Sequence, residues 1–193
     1  MFRDYETFLC VLDKKLNGFF ENQKEYICCG KGCSLCCKTG VYPISEVEFL
    51  YIKYALERLP GDVRENILSK IRTLKAQKAA ESGDKNWTYV CPFLEEEKCL
   101  VYTFRPIVCR TFGLPYFDDN NKIKVPSCMF EGLNYSRVYD PQTGQLSDEK
   151  FRKSGYKSEP LAFNLSKKFL HHSKLAQLTN MHFGEEKAMI DWF

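Results

Sequence analysis

The chain has 193 residues, 44% of them apolar and 27% charged, with a formal net charge of +3. This is the composition of an ordinary globular protein, long enough to bury a core, and its interspersed charges leave no electrostatic footprint for nucleic acid or an anionic membrane. No apolar run approaches the ~20 residues that span a bilayer, and the opening MFRDYETFLC carries acids where a secretory leader needs a basic stretch. The expected compartment is the cytoplasm, where thiols stay reduced. The ten cysteines therefore point to metal rather than to disulfides.

Phe2, Tyr5, Phe8, Leu9, Leu12, Leu16, Phe19 and Phe20 recur at helical spacing and predict an amphipathic helix over residues 2–20. Cys10 lies beside that stripe and is expected to be a small apolar filler rather than a ligand. The next segment, CCGKGCSLCC at 28–37, places five cysteines in ten positions. Beyond it, Ser45 and Glu48 form a capping-box pattern ahead of Phe49, Ile52, Leu56 and Leu59. Pro60–Gly61 ends that helix. Asp62 and Glu65 open another, with Val63, Ile67, Ile71 and Leu74 as its stripe and Gly83 past its end.

From Trp87 to Cys128 the chain is rich in aromatics and prolines, with β-prone runs WTYV and LVY that predict one or two short strands among compact loops. DPQTGQLSD, at 140–148, predicts a surface loop. Ser158 and Pro160 are expected to open a helix reaching about Leu175. The adjacent pair His171–His172 points in two directions on a helix and suits a joint metal site poorly. The expected fold is mainly α with short irregular β segments: one domain over 1–193, its core at 28–128 and a helical C-terminal extension at about 146–193, organised around a cysteine-ligated metal centre.

After the first helix the thiols run Cys28, Cys29-x3-Cys33-x2-Cys36-Cys37, then Cys91-x7-Cys99-x9-Cys109, then Cys128. Thiolate sets of this kind bind zinc and iron–sulfur centres, and short gaps with Gly30 and Gly32 let several sulfurs converge. The expected ligands are Cys29, Cys33, Cys36, Cys37, Cys91, Cys99, Cys109 and Cys128, with Cys28 left open. The side chains of Cys36 and Cys37 are expected to diverge, which leaves two readings: two neighbouring centres, or one centre with a spare thiol. Four thiolates on one metal centre carry excess negative charge. Arg105 and Arg110, which bracket Cys109, are expected to offset it; Lys31 and Lys38 flank the first group.

The run CCGKGCSLCC followed by CPFLEEEKCLVYTFRPIVCRTF resembles the CxxCxxCC cysteine-cluster family, often called YkgJ-like and labelled as zinc- or iron-chelating. The resemblance rests on the 29–37 cluster, Cys91-Pro92-Phe93-Leu94, Cys99, Tyr102, Arg105-Pro106, Cys109-Arg110 and Cys128. The gap between Cys29 and Cys33 is one residue longer than the family name implies. A related domain occurs in flagellin lysine N-methylases, which implies an iron–sulfur centre and S-adenosylmethionine-dependent methyl transfer.

Three functions follow as expectations. The first is a metal protein carrying an iron–sulfur cluster (four-iron, four-sulfur) or zinc, with redox or S-adenosylmethionine-linked chemistry. The second is a protein lysine N-methyltransferase-like enzyme acting on a protein substrate. The third is a structural-zinc module for a protein partner. The Cys29-x3-Cys33-x2-Cys36 spacing also matches the radical S-adenosylmethionine pattern. Two helices follow it directly, however, where that fold needs alternating strands and helices. The absence of histidine from the motif leans toward iron–sulfur.

Overall fold

The computed structural model describes residues 2–30, 32–81, 87–118 and 120–193. In chain order the elements begin with α1 (Arg3–Asn22), α2 (Leu35–Lys38), β1 (Pro43–Ser45), α3 (Glu46–Leu56) and α4 (Gly61–Ala80). Next come β2 (Leu94–Glu95), β3 (Lys98–Cys99), α5 (Ile107–Thr111), β4 (Tyr116–Phe117) and β5 (Ile123–Lys124). The chain closes with β6 (Tyr139–Asp140), β7 (Gln145–Leu146), α6 (Asp148–Ser154), α7 (Lys167–His171), α8 (Lys174–Leu178) and β8 (Glu186–Ala188). The fold is mainly α with short β segments, each sheet a two-stranded antiparallel pair.

Contacts divide the chain into two compact units. The first comprises residues 1–31 and 110–182, the second residues 32–109 and 183–193. In the first, α1 forms where its periodicity places it and buries Tyr5, Phe8, Leu9, Leu12 and Leu16. Each fully buried side chain of this size contributes ~1.5–3 kcal/mol. Cys10 is exposed on this helix, so it fills no core. Past the helix end, the Gln23 carboxamide is buried. It accepts from the Leu161 N–H at 2.9 Å and the Tyr135 hydroxyl at 3.2 Å, and donates to the Glu159 carbonyl at 3.1 Å.

Those bonds decide the fate of the segment expected to be helical from Ser158 to Leu175. The Glu25 carboxylate takes the Lys157 and Ser158 N–H groups, and Gln23 takes that of Leu161. The segment consequently stays non-helical until Ser166 caps α7, and Ser173 starts α8 afresh. DPQTGQLSD supplies the turn and most of the β6–β7 hairpin rather than a bare loop.

In the second unit, α3 and α4 present Ile52, Ala55, Leu56, Ile67 and Ile71 to a core shared with Ile44, Tyr89, Phe93, Val101, Met189 and Ile190. The expected stripes hold, with Phe49, Leu59, Val63 and Leu74 at their margins. Gly83 lies outside the described residues. The β-prone runs WTYV and LVY are not strands. The segment from Trp87 to Cys128 holds four short strands rather than one or two: β4 and β5 in the first unit, and here β2 and β3, joined by a tight turn with Glu96 and Glu97 at positive φ of 45° and 60°. The chain's last residues complete the unit: β8 pairs with β1, and the carbonyls of Glu185 and Phe183 accept the first free N–H groups of α3.

Candidate metal centre

The second unit gathers thiols from both cysteine groups. The Cys91 N–H donates to the Cys37 carbonyl at 2.7 Å, which ties the end of the first group to the start of the second. Cys91 then turns through the Leu94 N–H to its own carbonyl at 3.0 Å, and the β2–β3 hairpin returns the chain with Cys99 opposite Leu94. Cys91 and Cys99 both pack against the apolar core.

Cys109 reaches the same place on α5, and a buried carboxylate holds that helix. One Glu48 oxygen accepts the Ser45 N–H at 2.7 Å and the Ser45 hydroxyl at 2.6 Å. The other accepts the Ile107 N–H at 2.7 Å. The capping residue of α3 thus also fixes the first turn of the Cys109 helix. Its capping role is legible in the sequence; its partner 59 residues away is not.

The ionisation of these sulfurs is mutually linked. Burial pushes the Cys91 thiol up to about 12, with the charges of Cys37 and Cys99 adding to it. Cys109 is pushed well above its ordinary value by burial and then by Cys91, Cys37 and Cys99. Cys99 is raised by burial first and by Cys37 less. Cys37 goes the other way, to about 7, chiefly because the Cys36 thiol hydrogen-bonds its sulfur, with Arg105 assisting. Cys36 and Cys37 thus interact although they are neighbours on α2.

Arg105 is placed as expected, its charge favouring the thiolate forms of Cys37, Cys99 and Cys109. Its guanidinium also lies 3.7 Å from the Tyr102 ring centre. Arg110 has a carboxylate partner instead, the Asp13 side chain at 2.7 Å, in the first unit. Lys38 pairs with Glu97 at 2.7 Å, and the Ser34 hydroxyl donates to the same carboxylate, so the β2–β3 turn is clamped to both ends of α2. Lys31 lies outside the described residues.

Tyr42 was not singled out by the sequence. Its hydroxyl donates to the Cys36 carbonyl at 2.9 Å, and its own ionisation is pushed up by burial and by the charges of Cys36, Cys109, Cys37 and Cys91. Its ring covers Gly40, where an added Cβ would stand 2.0 Å from a ring carbon. The residue pattern GVY at 40–42 is the only local sign of this packing.

The remaining expected ligands are placed differently. Cys33 is exposed, two residues before α2. Cys29 and Cys128 belong to the first unit, Cys29 exposed and Cys128 buried. There the buried Asn134 accepts the Cys28 N–H at 2.7 Å and donates to the Gly113 carbonyl at 3.1 Å and the Cys29 sulfur at 3.4 Å. Among the described residues, no three Cys, His, Asp or Glu side chains are grouped closely enough to hold a metal ion as they stand.

A family profile, described as "CxxCxxCC: Putative zinc- or iron-chelating domain", matches residues 28–129, which is more than half of the chain. The chain belongs to the CxxCxxCC family. Neither a search of curated proteins nor one of solved structures finds a match. The CxxCxxCC segment contains every expected ligand from Cys29 to Cys128, and its description supports metal binding. Its donor chemistry fits: thiolates suit both zinc and iron. Among the described residues, no helix is long and apolar enough to cross a membrane.

Proposed function

We propose that this protein binds a metal centre through Cys37, Cys91, Cys99 and Cys109, and that the centre is an iron–sulfur cluster. The observation that carries the reading is the Cys91 N–H bond to the Cys37 carbonyl together with the packing of Cys91 and Cys99 on one core; the mutual electrostatic influence of the four thiols and Arg105 agrees with it. Four sulfurs cannot all ionise side by side without a cation among them, and a metal supplies it. The all-sulfur donor set favours iron–sulfur. Cys36 is the spare or exchangeable thiol. Cys29, Cys33 and Cys128 remain proposed ligands, of which Cys29 and Cys128 belong to a separate set in the first unit.

A second reading, structural zinc, is favoured by the packing of Cys91 and Cys99 against the core, the position of a staple. Anaerobic purification followed by an absorption spectrum and by iron, sulfide and zinc analysis separates the two. A brown protein with iron and sulfide in equal amounts supports the cluster. A colourless protein loaded with zinc overturns it. With the cluster present, bleaching by dithionite supports a redox role, and a spectrum moved by S-adenosylmethionine supports the methyl-transfer-like reading.

A further inference from the structure

The first unit contains a broad cleft of about 1020 Å³ that takes no part in the cysteine chemistry. One wall is a stacked aromatic pair, Phe19 on Phe163, with ring centres 4.2 Å apart and planes inclined by 20°. The Phe163 backbone is held on both sides: its N–H donates to the Pro115 carbonyl and its carbonyl accepts from the Phe117 N–H, each at 3.0 Å. These bonds fix the main chain that carries the ring. Phe169, 49% exposed, faces the same cleft from α7.

The rim carries Lys15 from α1, Lys168 from α7 and Lys174 from α8, all exposed. Among the described lining residues the one carboxylate is Asp118, and its charge is spent locally. One of its oxygens accepts the Asn120 and Lys122 N–H groups at 2.9 Å, and the other faces Lys124 at 3.5 Å. The cleft is thus aromatic within and cationic at its edge.

We propose that this cleft binds a small planar aromatic anion, a ring system bearing a carboxylate, sulfonate or phosphate. The ring lies along Phe19, Phe163 and Phe169, where stacking and apolar burial hold it. The anionic group meets the lysine rim. Either feature alone admits many ligands; together they select against neutral aromatics and against non-aromatic anions.

The test uses the full-length, metal-loaded protein and two fluorescent probes, 8-anilinonaphthalene-1-sulfonate and the neutral N-phenyl-1-naphthylamine. The sulfonate is expected to bind saturably at one site per chain, more weakly as salt is raised. Replacing the three rim lysines together (Lys15→Gln, Lys168→Gln, Lys174→Gln) is expected to weaken the sulfonate by roughly tenfold and the neutral probe by less than about twofold. Phe169→Ala is expected to weaken both. Circular dichroism and metal content report that the variants remain folded. The proposal is overturned if the sulfonate fails to saturate at one site, if its affinity ignores salt, or if the lysine variant affects both probes equally.

Discussion

The main-chain N–H of Cys91 donates to the main-chain carbonyl of Cys37 at 2.7 Å, joining two cysteine groups that lie 54 residues apart in sequence. It brings a thiol lowered to about 7 beside thiols that burial has raised. In metal-free protein at pH 7, Cys37 should therefore alkylate faster than Cys91, Cys99 or Cys109. Timed iodoacetamide labelling with peptide mass spectrometry checks the order. Cys36→Ala should slow Cys37 more than Arg105→Gln does, because the Cys36 hydrogen bond is the larger cause of its lowering. Equal rates at all four sites would contradict this.

Metal uptake should release protons, and the number follows from the same shifts. At pH 7, Cys91, Cys99 and Cys109 hold their protons because their thiols are raised, while Cys37 is about half ionised. Binding at all four sulfurs then releases three protons plus about half of one, so apparent affinity rises with pH at ~3.5 decades per unit near pH 7. The slope falls toward three above pH 8, once Cys37 is already a thiolate. Zinc titration of the metal-free protein at several pH values measures it. A slope near zero would mean that these thiols are not ligands.

Glu48→Gln replaces an acceptor-only carboxylate with a group that presents an amide donor to the Ser45 pair or to the Ile107 N–H. In a buried site that mismatch should cost about 1.5–3 kcal/mol. Denaturant unfolding of the metal-free protein reads the loss. Metal affinity should fall as well, since the first turn of α5 is no longer pinned beneath Cys109. A stability change within ~0.5 kcal/mol would remove Glu48 from this role.

Gly40→Ala would put a methyl group 2.0 Å from the Tyr42 ring. The ring must leave its place against the thiols and surrender its hydrogen bond to the Cys36 carbonyl. We expect a loss of about 1–3 kcal/mol, as for other overpacked sites, and a much smaller cost when the same substitution is made in a Tyr42→Ala background. If Gly40→Ala costs as much in that background as in the wild type, the clash lies elsewhere.

Local patterns in the sequence made part of this structure legible. The α1 stripe, the Ser45–Glu48 cap and the α3–α4 faces depend on neighbours within a few residues, and each formed where its periodicity placed it. What escaped depends on distant partners. Residues 158–165 look helical until Gln23 and Glu25 take their N–H groups. Pairing of Pro43 with Ala188 has no local signature at all. At the site, the cysteines themselves were plain, whereas Glu48, Tyr42, Glu97 and Asn134 act through contacts that spacing does not encode.

The central claim is that the core-packed thiols, and not every cysteine, hold the metal. Metal content per chain, measured on anaerobically purified wild type, Cys10→Ser and Cys109→Ser in parallel, tests it most directly. Cys10 is exposed on α1, whereas Cys109 lies within the field of Cys37, Cys91 and Cys99. The account predicts wild-type content in Cys10→Ser and loss of at least one metal centre in Cys109→Ser. Identical metal content in all three proteins would contradict it.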